Sequence, residues 1–138
     1  MIKTTEAPQY RRFVLCQKLC QTSAASRSHV QSLALQHAPL GVNDGKGVMF
    51  ISHTGLFHPS WFMPIVCGLF PCEHIVEIYQ KTPIFRGLRD TGWLQGKCGV
   101  CEYRRICGGS RARAYAVTGN PFAEEPGCDY VPAAAKKR

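Results

Sequence analysis

Gly96-Lys97-Cys98-Gly99-Val100-Cys101-Glu102-Tyr103-Arg104-Arg105-Ile106-Cys107-Gly108-Gly109-Ser110-Arg111-Ala112-Arg113-Ala114-Tyr115 is the stretch that decides how this chain folds. Its cysteines run Cys98-x2-Cys101-x5-Cys107, and Cys128 follows after a longer gap. Thiolates two residues apart turn toward one centre, a third returns after a short loop, and a distant fourth closes a four-sulfur cage. Such a cage holds either a structural zinc or an iron–sulfur cluster. Spacing alone does not separate the two, because the run matches neither common ferredoxin pattern. The plain alternative is four unrelated thiols, or two disulfides.

Composition bears on that choice. Eight cysteines in 138 residues is sparser than a disulfide scaffold, and the Met1-Ile2-Lys3-Thr4-Thr5-Glu6 opening has no apolar core of a secretory signal. A reduced, cytoplasmic setting is the expectation. The apolar run from Trp61 to Phe70 is short and contains Pro64 and Gly68, so no membrane partner is expected. The length and the 45% hydrophobic content fit one modest globular domain. A net charge of +8 invites a nucleic-acid reading. Three of those charges, however, are Lys136, Lys137 and Arg138 of the terminal run, and four are Arg104, Arg105, Arg111 and Arg113 beside the cysteines. Guanidinium groups there stabilise a negatively charged thiolate site, so no nucleic-acid partner is expected. For any single arginine a solvated face explains its presence equally well.

Thr4 to Leu15 reads as a short or edge strand, limited by Pro8 and Arg11-Arg12. Gln21 to His37 is polar and reads as a mobile linker, so residues 1–40 form an N-terminal segment. Turn residues crowd Gly41 to Gly47. Val48 to Ser52 and Leu56 to His58 then read as a β-hairpin hinged at His53-Thr54-Gly55. Trp61 to Cys72 reads as an apolar loop. Glu73 to Gln80 places Ile75, Ile78 and Tyr79 on one helical face, and Pro83 opens a second helix to Asp90. Ser110 caps a third helix from Arg111 to Val117, which Gly119 and Pro121 end. The fold class is α+β, with residues 133–138 as a disordered basic tail.

The cysteine stretch, with Thr118-Gly119 and Glu124-Glu125-Pro126-Gly127-Cys128 behind it, resembles the C-terminal SPASM domain of radical SAM enzymes. Asn43-Asp44-Gly45, Ser52-His53-Thr54-Gly55 and Glu77-Ile78-Tyr79 through Leu88-Arg89-Asp90 are similar to the hairpin and helix preceding that loop in the haem and haem d1 biosynthesis subgroup. The similarity covers roughly residues 41–132, a small SPASM or twitch-like domain. It implies one [4Fe–4S] cluster bound by Cys98, Cys101, Cys107 and Cys128. The pattern of a two-cluster domain would put further cysteines at Arg111 and near Pro59-Ser60, and both are absent. Weaker similarity at Glu6 to Arg12 implies a segment leaving a radical SAM barrel, with Gln9 where a His is expected.

Cys16-x3-Cys20 departs from the radical-generating Cys-x3-Cys-x2-Cys motif, since Ser23 holds the third position. Cys16 and Cys20 are therefore read as incidental, and the chain alone is not expected to cleave S-adenosylmethionine, which would act only through a missing or separate barrel. Cys67 and Cys72 read as small buried hydrophobes. His29, His37, His53, His58 and His74 do not assemble into a site, and Glu124-Glu125 reads as a solvated pair, with pairing to the nearby arginines or assistance to a substrate as the alternatives. Gly108-Gly109 lets backbone amides approach a cluster. The implied role is the auxiliary-cluster portion of a radical SAM oxidoreductase, relaying an electron or orienting a tetrapyrrole or a peptide substrate, with the barrel as partner. A non-catalytic four-cysteine zinc module and a degenerate remnant of a truncated gene are the alternatives.

Overall fold

The structure is a computed structural model that describes residues 7–20 and 43–136, without the side chains of Leu19 and Cys20. It is α+β. The hairpin forms from β1 (Phe50–Ile51) and β2 (Leu56–His58), antiparallel, with Phe50 opposite His58 and Ile51 opposite Phe57. Gly55 makes the turn with φ +86°, donating its N–H to the Ser52 carbonyl at 2.9 Å. A third strand, β3 (Gly68–Leu69), pairs antiparallel with β2. It lies in the stretch read as an apolar loop. Two residues, one of them glycine, carry no alternation by which sequence marks a strand. A side chain at Gly68 would meet the Ile78 Cδ1 at 2.9 Å, so the close approach of strand and helix itself requires glycine.

Helices α2 (Ile75–Lys81) and α3 (Pro83–Arg89) follow as expected. Thr82, extended at φ −62°, ends the first and starts the second, and Pro83 occupies the first turn, where its missing N–H is not needed. Arg89 fastens the pair by lying over the Tyr79 ring at 4.7 Å and donating to the Tyr79 and Gln80 carbonyls. Phe85 is fully buried, while Leu88 joins Met63 and Ala112 in the core, with Ile65, Ile84, Tyr115 and Phe122 packed around them. A 3-10 turn at Thr91–Trp93 leads into the short helix α4 (Gly96–Val100), and α5 (Arg111–Thr118) closes the set.

Two expectations require correction. Gln9–Cys20 is a helix, α1, in place of the edge strand read over Thr4 to Leu15. Arg12, Leu15 and Cys16 are partly buried at helical spacing, and Pro8, taken as a strand limit, instead stands just before the first turn, where its carbonyl accepts the Arg11 N–H at 3.3 Å. Likewise, Ala133–Ala135 is a 3-10 turn packed near α4, with Pro132 buried beneath it, and so is not part of a disordered tail. Lys137, Arg138 and the linker reading of Gln21 to His37 lie outside the described residues, as does most of the first forty.

Candidate metal centre

Cys98 sits on α4, Cys101 caps its C-terminal end, Cys107 follows a tight turn and Cys128 arrives on the loop after α5. All four line one cavity, together with Lys97 from α4, Arg104, Gly108, Gly109 and Glu125 from the surrounding loops, and Arg12 from α1. None of the seven described cysteine side chains is in a disulfide. Among the described residues, no three Cys, His, Asp or Glu side chains converge into a ready-made site for a single ion.

Backbone amides are aimed at three of the four sulfurs. The Glu125 N–H donates to the Cys98 Sγ at 3.3 Å, the Tyr103 backbone to Cys101, and the Gly109 backbone to Cys107. Gly108 and Gly109 both take left-handed conformations, φ +68° and +67°, which brings the second amide inward. A Cβ on Gly109 would meet the Arg111 Nη2 at 2.5 Å and the Glu125 Cβ at 2.7 Å, so no side chain fits. Amide-to-sulfur hydrogen bonds favour thiolate and offset the negative charge of a thiolate-bound group.

One buried and one partly buried guanidinium group add to this. Arg111, 2% exposed, donates to the carbonyls of Gly109, Pro121 and Ala123, and its Nη2 lies 3.7 Å from the Cys98 Sγ. Arg12 stacks over Tyr130 at 4.4 Å and approaches Asp129 at 3.8 Å, but its Nε is buried with no acceptor among the described residues. An orphaned donor beside a cavity lined by four cysteines fits an anionic, sulfide-bearing group, which would bring the acceptor it lacks. Without such a group, burial pushes the Cys101 thiol up to about 11, despite the Tyr103 amide, and raises Cys107 as well.

The scaffold around the cysteines is fixed by residues far apart in sequence. Ser110 caps α5 by accepting the Arg113 N–H at 3.2 Å, while Asp44, 4% exposed, accepts the Ala112 N–H at 2.9 Å. Asn43 donates to the Gly109 carbonyl at 2.6 Å. Glu125 overturns the solvated reading. It is fully buried, accepts from the Ser110 amide, pairs with Arg113 at 2.8 Å and takes the Gly127 N–H at 2.9 Å. Glu124 accepts the Lys97 N–H at 2.9 Å, and Lys97 Nζ donates to the Cys128 carbonyl at 3.0 Å. The available signal was scarcity, since a chain with 17 basic and 9 acidic residues leaves few acids to pair with four clustered arginines.

Cys16 is not isolated, because its thiol donates to the Tyr103 hydroxyl at 3.5 Å, whereas the Cys20 side chain lies outside the described residues. Cys67 is half-buried as expected, its thiol raised to about 11 by burial, but Cys72 is exposed and so does not act as a buried hydrophobe. His58 donates from Nδ1 to the Ile65 carbonyl at 3.1 Å; His29 and His37 fall outside the described residues.

No family model matches the chain. Among curated proteins, it is 37% identical over 131 residues, 95% of its length, to the AdoMet-dependent heme synthase of Methanosarcina barkeri, and equally so to that of Nitratidesulfovibrio vulgaris. A PqqA peptide cyclase from Methylorubrum populi is 31% identical over 99 residues, 68% of the chain. The chain is a radical SAM-related protein of SPASM type. It spans 37% and 35% of the lengths of the two heme synthases and 26% of the cyclase. Among the described residues no helix is long and apolar enough to cross a membrane.

Proposed function

We propose that this radical SAM-related chain binds one [4Fe–4S] cluster through Cys98, Cys101, Cys107 and Cys128 and acts in the cytoplasm as the auxiliary-cluster portion of a radical SAM oxidoreductase. The observation that carries this reading is the single cavity lined by all four cysteines and by the orphaned Arg12 Nε. A cluster held there would supply one-electron transfer. The chain's own residues would do the rest. The Glu125 and Gly109 amides and Arg111 balance charge at the sulfurs, and Arg12 with Tyr130 covers one side of the cavity. A barrel carrying the S-adenosylmethionine chemistry is the proposed partner. The substrate is proposed to be a haem-type tetrapyrrole, because the similarity to heme synthases extends over 95% of the chain and that to a peptide cyclase over 68%.

Anaerobic reconstitution with iron and sulfide tests the centre. About four irons and four sulfides per chain, with brown charge-transfer absorbance, is the expected result. Cys101→Ser should abolish that absorbance and Cys16→Ser should retain it. A colourless protein holding one zinc per chain would instead establish the zinc-module reading, and equal losses from both variants would mean that the ligands are wrongly assigned.

A further inference from the structure

Behind the cysteine loop lies a second cavity, between the Asn43–Lys46 turn and the Arg104–Gly108 segment. Lys46, Arg104, Arg105 and Arg111 line it, with Leu88 and Leu94 as an apolar floor, and among the described residues no carboxylate is in its walls. Arg111 is committed to backbone carbonyls and Arg104 donates to the Gly99 carbonyl at 2.8 Å. The Lys46 ammonium and the Arg105 guanidinium make no hydrogen bond or ion pair with another described residue. Lys46 is nevertheless drawn in. Its backbone is pinned by exchanging hydrogen bonds with Asn43 at 2.8 and 3.0 Å, and Asn43 is itself tied to Gly109. Burial, then Arg105 and Arg11, hold its pKa below the usual lysine range. Like charges gathered in a half-buried recess without an acid are unfavourable, and an oxyanion relieves them.

We propose that this cavity is an oxyanion-binding subsite that takes a carboxylate or phosphate group of a larger molecule, with Lys46 and Arg105 as its principal donors. Arg104, Cys107 and Gly108 line both cavities, so the body of that molecule would lie beside the cysteine site. The proposal rests on the cations and not on which metal the cysteines hold.

Calorimetric titration with sodium succinate and, separately, sodium phosphate at constant ionic strength tests it, on both the metal-loaded and the metal-free chain. Binding of either probe to the loaded chain is expected, and the probe preferred identifies the group. Lys46→Gln and Arg105→Gln should each weaken binding about tenfold, the loss of one charged hydrogen bond. In probe-free protein, Lys46→Gln should leave the melting temperature unchanged or raise it, because repulsion is removed. Absence of binding by both probes, equal affinity in the variants, or binding only to the metal-free chain would overturn the proposal; the last result would assign these cations to the metal group. A lowered melting temperature for probe-free Lys46→Gln would also overturn it, since Lys46 would then already have a partner.

Discussion

The thiols of Cys101 and Cys107 are protonated at neutral pH, and a metal takes only thiolates. Loading must therefore expel at least these two protons. Reconstitution should be slower and weaker at about pH 6.5 than at about pH 8.5, and calorimetry in buffers of different ionisation enthalpy should record the protons released. In the metal-free chain the sign reverses. A raised folded-state pKa means that the native state holds its proton longer than the unfolded state does. Stability from Cys101 is thus intact below the ordinary value of 9.0 and is lost as pH rises toward about 11. Urea titrations across that range should show it. Glu125 is the other decisive residue, and Glu125→Gln should destabilise the chain by about 1–3 kcal/mol, because the fully buried carboxylate accepts from the Ser110 and Gly127 amides as well as from Arg113 and an amide cannot replace all three. An unchanged urea midpoint would contradict that role. The cysteines were legible from spacing and the Ser110 cap from its place before an apolar-polar helix. Glu125 and Arg12 were not, since burial of a charged side chain depends on partners supplied by distant elements.

At the scale of elements, the hairpin, α2, α3 and α5 were readable because each carries local punctuation: Gly55 at the turn, Pro83 at a first turn, Ser110 and Gly119 at the two ends of α5. The misread elements lacked it. β3 is two residues long, α4 five, and α1 presents Arg12 as part of its packed face, which breaks the apolar pattern that would have marked a helix. The Asn43-Asp44-Gly45 turn is where several elements meet. Gly45 donates to the Pro59 carbonyl at 2.8 Å, a Cβ there would strike the Leu88 Cδ1 at 2.6 Å, and Asp44 caps α5. Asp44→Ala should therefore remove about 1 kcal/mol and fray the start of α5, which hydrogen exchange at Ala112 would report. Gly109→Ala should cost more, at least about 1–2 kcal/mol for the left-handed backbone alone, and should reduce iron content, since the amide aimed at Cys107 would move.

For the whole molecule, the apolar surface around β1 and the following loop is conspicuous: Trp61 is 73% exposed, with Phe62, Val66 and Phe70 also open, while Met63 between them is fully buried. Trp61 packs at a tilt against the half-buried Phe50, ring centroids 4.7 Å apart. Surfaces of this kind promote association. The isolated chain should self-associate with rising concentration in sedimentation velocity, and Trp61→Glu should suppress that without lowering iron content. A wild-type monomer at high concentration would remove the case for a partner on this face. α+β class and a four-cysteine loop were legible at this scale, whereas the way α1 and the 120s loop enclose that loop follows from contacts across more than eighty and about thirty residues. The enclosure also sets an order of events. Cys128, Glu125 and the Lys97 anchor on the Cys128 carbonyl all depend on residues synthesised after Cys98, Cys101 and Cys107. A nascent chain that has exposed Cys98, Cys101 and Cys107 has three neighbouring thiols and no lid, the state most open to oxidative cross-linking. Oxygen exposure before Cys128 is made should thus give more disulfide cross-linking among Cys98, Cys101 and Cys107 than exposure afterwards, as non-reducing gels of chains stalled before and after Cys128 would show.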